Sequence, residues 1–411
     1  MQKRNCRFCG NSLTHTFCDL GISPVSNAYL KLENLQQPEP AFPLHAFVCE
    51  QCFLVQLEEF QAPHQIFEEY AYFSSYSESW LKHAKHYVEE MCLRFSLNST
   101  HQVVEIASND GYLLKYFKDK SVPVLGIEPA RNVAAVAENQ GIPTLTKFFG
   151  SQTAQELVQQ NLKADLLLGN NVLAHVPNLN DFVYGMKLLL KPSGIITMEF
   201  PHLLRLMEEN QFDTIYHEHF SYFSFLTVEK IFAKHGLTLF DVEQLATHGG
   251  SLRIYAKHSE DNSHPIQRNV TQLKNLEKNY GLDQLITYQN FSQKVLGIKE
   301  QILDFFKQCK ANNQDVAGYG APAKGNTLLN YCGINPDLLK YTVDLNPYKQ
   351  GKFLPGTHIP IKSPDFISQA KPAYLLILPW NLKHEIIHQM AHIREWGGKF
   401  VIPIPKLEIV A

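Results

Sequence analysis

No stretch of the 411 residues holds the run of about eighteen or more apolar side chains that a membrane-spanning helix needs. Excess charge is equally scarce. Lys and Arg number 37 against 40 Asp and Glu, a formal net charge of -3, so there is no broad positive field to attract nucleic acid or an anionic lipid surface. Cysteine is sparse too: 8 residues are too few to staple a chain of this length with disulfides. The opening Met1-Gln2-Lys3-Arg4-Asn5-Cys6 has no apolar core of a secretory leader. These absences predict a cytoplasmic protein, monomeric by preference, with neither nucleic acid nor membrane as partner.

What is present is ordinary globular material, 45% hydrophobic and 19% charged, over a length that suits two or three domains. Residues 1–66 carry two Cys-x-x-Cys pairs, several prolines and the alternating run Leu54 to Leu57, which reads as a small metal-stapled unit. Residues 67–262 bring short apolar strands at 103–106, 124–127, 165–169 and 194–199. Helical stretches at 112–118, 132–139, 153–160 and 181–190 alternate with them. Such alternation predicts a parallel sheet with helices on both faces. Residues 263–411 open with a helix-period segment in which Phe291, Val295, Ile298, Ile302 and Phe305 share a face. Strands at 316–320, 341–344, 374–378 and 399–403 then predict a second, smaller α/β sheet.

Cys6 and Cys9, with Cys49 and Cys52, form two knuckles, the set that closes a tetrahedral shell around a structural Zn2+ and leaves no open position for catalysis. Cys18, Cys92, Cys309 and Cys332 read as small buried apolar residues.

The run Glu105-Ile106-Ala107-Ser108-Asn109-Asp110-Gly111 leaves a strand and opens a helix, where nucleotide-binding sheets bring backbone close to their ligand. Of the usual glycines only Gly111 remains. Ala107 and Asn109 leave less room for a pyrophosphate, which favours an adenosine ligand without phosphates. Glu128 ends the next strand, where a carboxylate accepts hydrogen bonds from ribose hydroxyls. Asn170, Asn171 and His175 follow a further strand at the same carboxyl edge. The pattern by itself leaves S-adenosylmethionine and a nicotinamide dinucleotide both open.

Tyr216, His217, Glu218, His219 and Tyr222 crowd one short stretch. Forming a bond at a carbon beside a carbonyl requires removal of its proton, a step suited to a histidine that titrates near neutrality. A tyrosine hydroxyl can hold the resulting enolate oxygen. Glu218 can orient an imidazole or act as the base itself. The stretch lacks the helical His-Glu-x-x-His spacing of zinc proteases, which disfavours a second metal site.

Gly318-Tyr319-Gly320-Ala321-Pro322-Ala323-Lys324-Gly325-Asn326 again joins a strand to a helix, and Lys324 adds positive charge where a diphosphate would lie. Asp344 ends the following strand, with Lys349 shortly after. Gly320, Lys324, Asn326, Asp344 and Lys349 are thus the candidate substrate contacts.

Taken together, the two cysteine pairs and the runs at 105–114, 126–130, 171–177, 216–222, 247–253 and 318–330 resemble the deoxysugar C-methyltransferase family in order and over nearly the whole chain. The resemblance implies an N-terminal zinc-binding domain, a class I methyltransferase Rossmann-like domain and a second Rossmann-like C-terminal domain. It also implies S-adenosylmethionine as cofactor and a nucleotide-linked 4-keto-hexose, most often on thymidine diphosphate, methylated at carbon 3. His219 matches the family's proposed base, and Tyr70, His175, Tyr216 and Glu218 match residues lining its active site. Three rivals stand beside this: methylation of a sugar hydroxyl or amine, a nicotinamide-dependent sugar oxidoreductase, and a non-catalytic zinc and nucleotide-binding module.

Overall fold

A computed structural model describes residues 4–60 and 74–411. The described residues hold three sheets. In the first, His15–Pro24, Ala41–Val48 and Val55–Leu57 run antiparallel. Its fourth strand comes from much later in the chain: Ser221–Tyr222 pairs with Val55 and Gln56. The stretch read as catalytic is thereby fastened to the cysteine-bearing unit.

The central sheet has seven strands in the order Leu237–Leu245, Ser251–His258, Leu190–Pro201, Ala164–Asn170, Val103–Ile106, Val124–Ile127 and Thr144–Leu145. The last five run parallel, and Ser251–His258 joins the two antiparallel pairs. Val103–Ile106 is buried at every position, as a central strand covered on both faces must be. Chain order reverses between Val103–Ile106 and Ala164–Asn170, and a crevice for ligands opens outside the carboxyl ends of strands at such a point.

The third sheet runs Ile361–Lys362, Thr342–Val343, Val316–Tyr319, Tyr374–Ile377, Lys399–Ile402 and Glu408–Val410, with only the final pair antiparallel. Ahead of it the helix Phe291–Ala311 buries the predicted stripe of Phe291, Val295, Ile298, Ile302 and Phe305. Phe291 stacks on Phe17 of the first sheet at 4.7 Å between ring centroids, so the stripe ties the first unit to the last.

The predicted strands and helices of the central block form, with shifted ends. Helices span Leu114–Asp119, Arg131–Asn139, Ser151–Gln159 and Leu179–Leu189. Leu190 belongs to the following strand instead of the helix. Leu237–Leu245 and Ser251–His258 were not foreseen, because their polar residues are buried in pairs. Arg253, 3% exposed, donates to Glu199 at 3.0 Å and to Glu243 at 3.1 Å. No helix among the described residues is long and apolar enough to cross a membrane.

Candidate active site and metal centre

Cys6 and Cys52 place their Sγ atoms 3.5 Å apart, as do Cys9 and Cys49, and all four sulfurs lie within 4.8 Å of one another. Zinc bound to four thiolates at about 2.3 Å sets its ligands about 3.8 Å apart, so the cluster fits the ion. Gln56 orients it from outside: Nε2 donates to Cys6 Sγ at 3.2 Å, while Oε1 accepts from the Arg7 N–H at 2.9 Å.

A cavity of about 1710 Å³ lies where the three sheets meet, and residues of all three units line it. A single drug-sized ligand occupies about 300–1,000 Å³, so there is room for a cofactor and a second molecule together.

At the central sheet's end of the cavity, the backbone turns through left-handed φ at Ala107 (56°), Asn109 (50°) and Gly111 (77°). A Cβ on Gly111 would meet Ile142 at 3.1 Å, which explains the one glycine retained there. Ala107, Asn109, Glu128, Asn170 and Asn171 line the cavity; Glu105, Asp110 and Gly111 are not among its lining residues. Glu128 receives the N–H of Asn109 at 2.9 Å and of Ala130 at 2.8 Å. Those bonds oppose the burial that raises its carboxyl above the ordinary range. Glu105 is fully buried, and neither carboxyl oxygen has a partner among the described residues. Burial, then Glu128 and Asp110, push it well above the usual carboxylate range.

The predicted catalytic stretch meets this site at mid-cavity. Tyr216, Glu218, His219 and His175 all line the cavity. His219 Nδ1 donates to the Thr214 carbonyl at 3.0 Å, which leaves Nε2 to accept from the Tyr216 hydroxyl at 2.8 Å. His175 Nδ1 donates to the Glu218 carbonyl at 2.6 Å, and its ring meets His219 edge-on at 4.7 Å. Burial keeps both rings neutral: His175 is pushed down to about 4, and His219 falls well below the ordinary histidine value. Burial raises Glu218 to about 6. Tyr222 is buried behind the cluster, its ring 6.1 Å from that of His219, and it is absent from the cavity lining because its strand pairs with the first sheet. Tyr70 lies outside the described residues.

At the far end Lys324, Asp344 and Lys349 line the cavity, whereas Gly320 and Asn326 do not. Asn326 instead donates to the Ser26 carbonyl at 2.6 Å. Lys324 donates to Asn381 at 2.7 Å and sits 4.4 Å over the Trp380 ring. Trp380 in turn donates to the buried Asp213 at 2.7 Å. Asp344 accepts from the N–H groups of Ala321 at 2.7 Å and Asn346 at 2.8 Å, which fixes the loop, and pairs with Lys349 at 3.6 Å.

Sequence reasoning missed Asn27, Trp80, His83, His248 and Asn381, all of which line the cavity. Trp80 and His83 stand three positions apart on a helix capped by Ser77 and stack at 4.9 Å. His83 is held on Glu199 at 2.9 Å. His248, at φ 54°, accepts from Asn171 Nδ2 at 3.2 Å. Only the Gly249-Gly250 pair beside it gave a local signal of an unusual backbone.

Three family models match in tandem: "Putative zinc binding domain" over residues 6–67, "Methyltransferase domain" over 80–242 and "C-methyltransferase C-terminal domain" over 246–405. Over 406 residues the chain is 34% identical to the C-methyltransferase NovU of Streptomyces niveus, a match spanning 99% of this chain and 96% of that one. Solved structures are more distant. An S-adenosylmethionine-dependent methyltransferase from Clostridium acetobutylicum ATCC 824 matches 43% of this chain and 92% of its own at 12% identity and a TM-score of 0.35. The magnesium protoporphyrin IX methyltransferase of Synechocystis PCC 6803, with S-adenosylmethionine bound, matches 44% of this chain and 79% of its own at 14% identity and a TM-score of 0.34. The full-length kinship sets aside the oxidoreductase and non-catalytic readings: the chain belongs to the C-methyltransferase family, S-adenosylmethionine-dependent enzymes with a zinc-binding domain at the N-terminus.

Proposed function

We propose that the enzyme methylates a carbon beside the keto group of a nucleotide-linked 4-keto-deoxyhexose, carbon 3 on a thymidine diphosphate sugar by family resemblance. The observation that carries this reading is the single cavity shared by Glu128, His219 and Lys324. A carboxylate suited to a ribose, an imidazole and a cation suited to a diphosphate stand around one space large enough for two ligands. In this reading residues 1–66 bind zinc, 67–262 hold the cofactor and 263–411 hold the nucleotide of the sugar, in a cytoplasmic monomer.

When bound, S-adenosylmethionine supplies an electrophilic methyl group on sulfur. Glu128, Ala107, Asn109, Asn170 and Asn171 hold it at the carboxyl edge of the central sheet, with Glu105, Asp110 and Gly111 shaping the turn beneath. Lys324 and Lys349 hold the diphosphate, Asp344 contacts the ribose or base of the nucleotide, and Gly320 and Asn326 shape their loop. The Tyr216 hydroxyl turns from His219 to the sugar's carbonyl oxygen and donates to it as negative charge develops. His219 Nε2, bared by that turn, takes the proton from the neighbouring carbon. The electron pair of that C–H bond would become the enolate and then the new carbon–carbon bond, while the methyl–sulfur bond breaks with its pair going to sulfur and S-adenosylhomocysteine leaves. His175 and Tyr222 pack against the imidazole and fix its plane.

The test is incubation with S-adenosylmethionine and a panel of nucleotide 4-keto-sugars. The reading predicts a gain of one methyl by mass, located by NMR on carbon 3. Methyl found on oxygen or nitrogen, or on no member of the panel, overturns it.

A further inference from the structure

Asn27 lies between two strands of the zinc-bearing sheet, on a segment stitched to its neighbours. Tyr29 donates to the Ala321 carbonyl at 2.5 Å, and Leu30 and Phe353 exchange backbone hydrogen bonds at 3.0 and 2.9 Å. Asn27 Nδ2 reaches the other way and donates to Glu218 Oε1 at 3.0 Å. Both residues line the cavity. Glu218 is 2% exposed, and its Oε2 has no hydrogen-bond partner among the described residues. A carboxylate oxygen shut off from water and unpaired is costly unless something bound in the cavity supplies a donor.

We propose that Asn27 is a positioning residue for methyl transfer: from the zinc-bearing unit it fixes Glu218 Oε1, favours the ionised carboxylate and leaves Oε2 to accept a hydrogen bond from an O–H or N–H group of the sugar. The inference rests on reading the cavity as a sugar site. Burial raises Glu218, while its own backbone N–H, and after it the side-chain amide and N–H of Asn27, oppose it. Among the described residues, the other titratable groups beside Glu218 include Tyr216, His217, His219 and Tyr222 on its own stretch and His175, which donates to its carbonyl. The zinc unit is on this account part of the catalytic centre, not an appendage.

Full-length, zinc-loaded wild type, Asn27→Ala and Asn27→Asp are titrated by infrared difference spectroscopy of the carboxylate band without substrate, with Glu218→Gln as the spectral reference. The Glu218 midpoint should rise by about one pH unit in Asn27→Ala. It should rise further in the near-isosteric Asn27→Asp, where two carboxylates share one place. An unchanged midpoint in both variants overturns the proposal. In a second arm, turnover of thymidine diphosphate 4-keto-6-deoxyglucose by Asn27→Ala should fall about threefold at pH 6.5 and stay near wild type at pH 8. Equal loss at both pH values marks a merely structural role and also overturns it. A wild-type enzyme that leaves this sugar unmethylated contradicts the sugar reading, and the infrared arm still decides the role of Asn27.

Discussion

Tyr216 Oη and His219 Nε2 share a hydrogen bond of 2.8 Å inside the cavity, and the opposite ring nitrogen is committed to the Thr214 carbonyl at 3.0 Å. The imidazole therefore has one nitrogen left for chemistry, and Tyr216 guards it. Tyr216→Phe removes the donor expected to hold the enolate oxygen. Its kcat should fall by about 10²–10³, with S-adenosylmethionine affinity, read by calorimetry, unchanged. A variant altered only in KM would contradict this role.

The acid side of the pH profile belongs to Glu218. His175, at about 4, and His219, well below the ordinary histidine value, are already bare above that range. Glu218 protonates at about 6. Activity requiring its ionised form should be flat above that value and fall about tenfold per pH unit below it. A profile of kcat against pH whose acid limb lies well above neutrality would count against the assignment.

Glu105 carries the largest unrelieved burial near the cofactor turn. Its folded value is raised, so the stability it contributes is complete below its unfolded pKa and is lost as pH rises through the folded one. Glu105→Gln removes that loss. Thermal melts should show the variant above wild type at pH 8, with the gap closing by pH 4; a gap that widens toward acid would contradict the sign.

Zinc should be present at one equivalent per chain, and its removal should reach the active site. Chelation or Cys52→Ser frees the sheet to which Ser221–Tyr222 is paired. Calorimetry should show Tm lower by about 10 °C or more, with methyl transfer lost alongside. Full activity in metal-free protein would refute the coupling.

Lys324→Met deletes a cation that lines the cavity above Trp380. The KM for a nucleotide sugar should rise about tenfold and lose its dependence on ionic strength, while S-adenosylmethionine binding is unaffected. An unchanged KM would remove Lys324 from the diphosphate site.

What was legible in the sequence was local. The cysteine knuckles, the turn from Glu105 to Gly111 and the stretch from Tyr216 to His219 announce themselves by spacing; the fold gathers the four sulfurs and sets Ala107, Asn109, Tyr216, Glu218 and His219 on one cavity. Residues recruited from a distance gave no such signal. Asn27 finds its partner, Glu218, far along the chain, and Trp80 and His83 look like any amphipathic helix face. A Cβ on Gly249, beside His248, would meet Trp380 at 2.6 Å, and Trp380 opens the short 3-10 helix Trp380–Leu382, far along the chain. Tyr222 is the opposite case. It is near His219 in sequence and its ring lies 6.1 Å from the imidazole, but its strand pairs with the first sheet and it does not line the cavity.

The most direct test of carbon methylation through an enolate is hydrogen exchange in D2O with S-adenosylmethionine left out. Wild-type enzyme should wash deuterium into the carbon beside the keto group of a nucleotide 4-keto-sugar, and His219→Asn should not, though it still binds S-adenosylmethionine. Exchange that proceeds equally in both proteins, or in neither, would contradict the account.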